Sequence, residues 1–141
     1  MTAHLLDTCV LIDYLRDRAA AVHAIERLAT RPSVSVVTMA ELYAGIRSNQ
    51  ERERIEALAA VLDIREVDLE IARLAGSYRL QYRRSHGVGM PDALIAATAR
   101  VHGARLVTRN TRHFPMLDDL LAPYQSQRPA AIMPTRRPSR A

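Results

Sequence analysis

Four oxygen-bearing side chains stand where short apolar runs stop. Asp7 follows His4-Leu5-Leu6. Glu41 lies just beyond the β-branched run 33–37. Asp92 follows Pro91 and precedes an apolar stretch, and Asn110 follows the run 105–108. Each has an ordinary reading as helix-start chemistry. Thr38-Met-Ala-Glu41 has the spacing of a capping box, in which a glutamate bonds back to the cap residue. An acid directly after a proline suits a first helical turn, where the dipole favours negative charge. Asp7-Thr8 suits a cap as well. Taken together the residues read differently. Three carboxylates brought to one place repel, which raises their pKa values and costs stability unless a cation compensates. The chain has no lysine, and apart from His4 no histidine lies near them in the sequence. A hard divalent cation, Mg2+ or Mn2+, held by oxygens and several waters, suits such a set. Asp7, Glu41 and Asp92 are the candidate ligands. Such an ion acidifies a bound water and stabilises charge on a phosphate, which is the chemistry of hydrolytic phosphoryl transfer.

For these residues to meet, the elements that carry them must end at one edge. Residues 4–6 suit a short buried strand. Residues 9–16 and 19–29 repeat apolar positions at helical spacing, the second closed by Thr30-Arg31-Pro32. Residues 33–37 read as a second strand, with a helix starting at Thr38 and running to Ile46. An amphipathic helix over 52–62, a short strand over 64–67 and a longer helix over 69–84 follow. Gly87-Val-Gly89 reads as a loop. Pro91 opens a helix that is apolar nearly all round and therefore buried. Residues 105–108 form a strand, and 119–124 an edge strand, since Pro123 is acceptable only at an edge. Strands alternating with helices imply an α/β domain with a mostly parallel sheet. In such sheets functional sites lie outside the carboxyl ends of the strands, and all four residues fall there.

Composition narrows the chemistry. The chain has 141 residues, 48% hydrophobic and 25% charged, which fits one folded domain with its own core. No apolar run approaches the roughly 20 residues of a membrane span. The start meets Asp7 too early for a signal peptide, so a cytoplasmic protein with no membrane contact is expected. The single cysteine, Cys9, excludes an internal disulfide and a zinc site built from cysteines alone. Inside an apolar helix it reads as a buried hydrophobe. All 20 basic residues are arginine. Without lysine there is no P-loop and no Schiff-base chemistry. The net charge of +5 is unevenly spread: residues 1–124 hold 16 arginines against 15 acids, while residues 125–141 carry Arg128, Arg136, Arg137 and Arg140 and no acid. The expectation is a near-neutral domain over 1–124 and a basic, proline-rich, disordered tail over 125–141.

Four stretches carry a resemblance. Leu5-Leu-Asp-Thr-Cys-Val-Leu-Ile-Asp13, Val37-Thr-Met-Ala-Glu-Leu-Tyr-Ala-Gly-Ile46, Pro91-Asp-Ala-Leu-Ile-Ala-Ala-Thr-Ala99 and Leu106-Val-Thr-Arg-Asn-Thr-Arg-His-Phe114 resemble PIN-domain ribonucleases. More narrowly, they are similar to the VapC toxins of bacterial type II toxin–antitoxin systems. The resemblance covers about residues 3–124. It implies a three-layer α/β/α sandwich, Mg2+- or Mn2+-dependent cleavage of RNA, a homodimer, and inhibition by a VapB-like antitoxin. Asp7, Glu41 and Asp92 match the acids of the family's site, and Thr8 and Thr108 match small polar positions beside it. Asn110 and His113 fall where many relatives carry aspartate. Asn110 still offers a carbonyl oxygen or an orienting contact to water. Arg109 and Arg112, flanking Asn110, are candidate contacts to RNA phosphates.

Other residues read as structure. Asp13 and Asp17 suit solvated turns of a helix, and Tyr14, Tyr43 and Tyr82 suit packing on apolar faces. The five histidines show no metal-ligand spacing. The alternative within the family is an inactive PIN module that binds RNA or antitoxin without cutting. Two other Mg2+ phosphotransfer folds fit worse. A haloacid-dehalogenase-type phosphatase wants Asp-x-Asp after the first strand, where this chain has Asp7-Thr8-Cys9, and a receiver domain needs a late lysine.

Overall fold

The structure, a computed structural model, describes residues 2–124; the expectation for the tail, 125–141, falls outside the described residues. In chain order the elements are β1 (His4–Leu6), α1 (Thr8–Leu15), α2 (Ala19–Glu26), β2 (Ser33–Ser35), α3 (Val36–Ala44), α4 (Asn49–Val61), β3 (Asp63–Arg65), α5 (Leu69–His86), α6 (Met90–Val101), β4 (Arg105–Val107), a 3-10 turn (Thr111–His113) and β5 (Leu120–Leu121). The strands form one sheet in the order β3-β2-β1-β4-β5. Every pairing is parallel, β1 against β4 in the register His4–Arg105, Leu5–Leu106 and Leu6–Val107. The order reverses at β1, so the crevice between the β1 and β4 ends is where such a sheet binds ligands.

Alternation along the strands builds the layers. Leu6, Val34 and Val107 face one side and pack with α1, α3 and α4 through Val10, Leu11, Met39, Leu42, Ile55 and Leu58. Leu5 and Leu106 face the other side and pack with Ile95, Ala96 and Ala99 of α6 and with Phe114. Period-two strands with both faces apolar require a helical layer on each side. The result is the three-layer α/β/α sandwich. The apolar helix α6 has only small residues at 93, 96, 97 and 99, all buried, which lets α5 approach it closely through Ile71 and Ala75.

Two local features position the site. Strand β2 ends at Ser35, two residues earlier than its β-branched run suggested. The Ser35 hydroxyl accepts from the Val37 amide at 3.1 Å, and that capping bond starts α3 at once. Thr38 is therefore inside the helix, and the expected capping box with Glu41 does not form; Ser35 is the cap. Helix α5 ends at Gly87 in the left-handed region, φ 60°, which turns the chain straight into α6. Pro91 and Asp92 then occupy the first turn of α6.

Candidate functional site

Asp7 is the hinge between β1 and α1. Its amide donates to Val107 O at 2.9 Å, closing the β1–β4 ladder. Its side chain then caps α1, with Oδ1 accepting from the Thr8 amide at 2.8 Å. The other oxygen, Oδ2, accepts from Thr108 Oγ1 at 2.7 Å and from Cys9 Sγ at 3.3 Å. Asp7 is 5% exposed, and its capping and site roles coexist in the one side chain.

Glu41 is exposed, on the second turn of α3. Its Oε1 accepts from Thr8 Oγ1 at 2.8 Å. Thr8 Oγ1 also lies 3.0 Å from Thr38 Oγ1. A hydroxyl carries one proton, so Thr8 can give it to Glu41 or to Thr38 but not to both, and the charged carboxylate is the stronger acceptor. The two threonines thus link the start of α1 to α3 and aim the glutamate.

Asp92 lies on α6, partly exposed, with His113 Nδ1 3.3 Å from its Oδ2. Its carboxyl is held above the usual carboxylate range, first by burial and then by the negative charge of Asp7, with Glu41 adding to the rise; His113 opposes it. That shift places the three acids in one electrostatic neighbourhood, although they come from three different helices. His113 is a neighbour that proximity in sequence did not show. It is distant from Asp92 in sequence and reaches it only because the 3-10 turn folds over the start of α6.

Thr108 is fully buried. Besides bonding Asp7, its hydroxyl accepts from the Asn110 amide at 3.0 Å, so Asn110 is brought to the same edge. Asn110 begins the 3-10 turn and its side chain makes no capping bond. Cys9 is buried, as expected. Its thiol is pushed up to about 11 by burial and the charge of Asp7, so it serves here as a neutral donor to Asp7 and not as a nucleophile.

One expectation fails beside the site. Asp13 is 0% exposed rather than solvated. Its Oδ2 accepts from Tyr124 Oη at 2.6 Å and lies 3.3 Å from Arg109 Nε, and its Oδ1 lies 3.3 Å from Arg18 Nη1. Arg109 is consequently turned toward Asp13, while Arg112 is exposed on the 3-10 turn. Asp17 is exposed and pairs with Arg54 at 2.9 Å. Sequence reading missed Thr38, Asp13 and Tyr124 as neighbours of the site. The only signal for Asp13 was its position on the same face of α1 as Cys9.

Among the described residues, no three acid, histidine or cysteine side chains are already closed around one point as a ligand set. The chemistry of the donors nonetheless fits a hard divalent ion: all three acids offer oxygen, and Asp7 and Glu41 both add to the rise that burial causes at the Asp92 carboxyl. An open groove of about 220 Å3 runs from Glu41 between α1, α3 and α4, walled by Ile12, Leu15, Leu42 and Ile55 and rimmed by Arg16, Arg47 and Arg54.

Comparison with known proteins bears on the fold and the family. Residues 4–120 match the PIN domain family. Ribonuclease VapC19 of Mycobacterium tuberculosis is 40% identical over 124 residues, spanning 85% of this chain and 98% of that protein. Ribonuclease VapC10 of the same organism is 41% identical over 123 residues, spanning 85% and 92%. Among solved structures, a toxin–antitoxin complex from Klebsiella pneumoniae matches with a TM-score of 0.77 at 28% identity, covering 88% of this chain and 100% of that one. Sheet order and these likenesses lead to one conclusion: the chain belongs to the PIN-domain family, among its VapC ribonucleases.

Proposed function

We propose that this protein is the toxin of a type II toxin–antitoxin pair and cuts RNA internally with a divalent ion, Mg2+ or in its place Mn2+, held by Asp7, Glu41 and Asp92. The observation that carries the reading is that Thr8 bonds both Asp7, through its amide, and Glu41, through its hydroxyl, while Asp92 lies near enough to feel both charges. When bound, the ion supplies an acidified water and neutralises charge on the phosphate. The chain's own groups do the rest. Thr108 and the Thr8 amide fix both oxygens of Asp7, and Thr8 Oγ1 fixes Glu41, so the acids need little reorganisation on binding. Asn110, tied to Thr108 through its amide, offers a carbonyl oxygen or an N–H to orient water. Arg112, exposed beside the edge, is placed to meet a flanking phosphate.

A free ribonuclease of this kind harms its own cell, so a partner must mask it. The groove beside Glu41 suits an extended antitoxin segment: apolar side chains seat between Ile12, Leu42 and Ile55, and an arginine or lysine reaches the acids. The matching Klebsiella structure is itself a toxin–antitoxin complex. The reading includes a homodimer, for which Leu69 and Leu80 on α5, both widely exposed, supply apolar surface. It also places the protein in the cytoplasm with its RNA; among the described residues no helix is long and apolar enough to cross a membrane. RNA-end mapping after induced expression tests the reading. Wild type is expected to create discrete new ends that Asp92→Ala does not; identical ends in both, or none in either, would overturn it.

A further inference from the structure

We infer that Asp13 is a positioning residue for the reaction, holding the segment that carries Thr108 and Asn110 against Asp7 by clamping Arg109 and Tyr124. The inference rests on the ribonuclease reading but names residues outside the acid set. Asp13 is a fully buried carboxylate, and such a charge persists only where partners compensate it. Its partners come from three places: Arg18 just after α1, Arg109 directly after Thr108, and Tyr124 beyond β5. Only the tyrosine contact is a well-aligned hydrogen bond. Asp13 Oδ1 and Arg109 Nε are both buried without one, so the arginines are held by charge, which acts over the whole segment and not along a single line.

The clamp connects to the site by covalent neighbours. Asp13 and Asp7 belong to the same helix, Asp7 as its cap. Arg109 lies between Thr108, whose hydroxyl bonds Asp7 Oδ2 at 2.7 Å, and Asn110. Pulling Arg109 toward α1 therefore presses Thr108 onto Asp7 and sets where Asn110 begins the turn that brings His113 to Asp92. It also keeps a flexible guanidinium off the acids. Groups that orient metal-binding carboxylates commonly change metal affinity or activity by roughly 10- to 100-fold when removed.

The test compares Asp13→Asn, Arg109→Gln, Tyr124→Phe and Arg18→Gln in the full chain. Two readings are taken well below each variant's Tm: Mn2+ affinity by calorimetric titration, and kcat and KM on a labelled RNA. Asp13→Asn and Arg109→Gln are expected to weaken Mn2+ binding and lower kcat by about tenfold or more, with KM within about twofold. The double variant is expected to be no worse than Asp13→Asn alone, because both break one link. Tyr124→Phe, which keeps the charge, should show a smaller effect in the same direction and guards against failure of Asp13→Asn to fold. Arg18→Gln takes away a partner that does not touch the site and should leave both readings within about twofold. Variants that lose Tm but keep wild-type Mn2+ affinity and kcat would overturn the inference, as would Arg18→Gln matching Arg109→Gln. Wild type that binds Mn2+ yet cuts no RNA would count against the ribonuclease reading, while the affinity comparison would still decide the clamp.

Discussion

Asp7 and Asp92 perform the same proposed task from opposite energetic positions. Asp92 is ionised against burial and against two neighbouring acids. Its folded pKa lies above the unfolded one, so the folded state holds the proton more tightly, and its ionisation costs stability as pH rises through the window between the two. Asp92→Asn is therefore expected to abolish cleavage while leaving the metal-free Tm at pH 7 equal or higher, as read by a thermal scan. Asp7 instead satisfies a helix cap, a buried threonine and a thiol. Asp7→Ala is expected to abolish cleavage and also to lower stability by about 0.5–2 kcal/mol from the cap alone, measured in urea. The acids were legible because each stands at the border of an apolar run. His113 and Asp13 were not, because their partners are distant in sequence and meet them only through the fold. Tyr124 was hidden for the same reason, its hydroxyl reaching Asp13 across the whole chain.

At the scale of elements, the sequence reading located the α-helices and strands of the described residues but not the 3-10 turn at Thr111–His113, and the other differences lie at the boundaries. The run 33–37 reads as strand because β-branched residues favour it, yet a single hydroxyl cap at Ser35 converts its last two residues to helix. Helix α4 starts at Asn49 rather than 52, since Ser48 Oγ accepts from the Glu51 amide at 3.2 Å and recruits the polar turn that apolar spacing could not mark. Gly87 tests the α5–α6 corner. A Cβ there meets nothing within 4 Å, so Gly87→Ala carries only the left-handed backbone penalty, about 1–2 kcal/mol, by equilibrium unfolding. Ile95, 0% exposed on α6 beneath Asp92, is expected to cost about 2–5 kcal/mol when cut to alanine. A loss much below that would mean α6 is less firmly seated than the packing implies.

At the scale of the whole molecule, charge is partitioned: a near-neutral domain carries an acidic site, and the excess of arginine lies in residues 125–141. Removing that segment is expected to preserve the fold and cleavage while weakening RNA affinity. The salt dependence of binding should become shallower, by about 0.7 per lost phosphate contact on single strands, as read by anisotropy at several salt concentrations. The parallel sheet brings acids from three helices to one edge, and the central claim is that this edge acts through a divalent ion. The direct measurement follows a labelled RNA with purified protein stripped by EDTA, then supplied with Mg2+ or Mn2+. Cleavage is expected to stop in EDTA, to return with either ion in the wild type, and to stay absent in Asp92→Asn. Undiminished cleavage in metal-free buffer would contradict it.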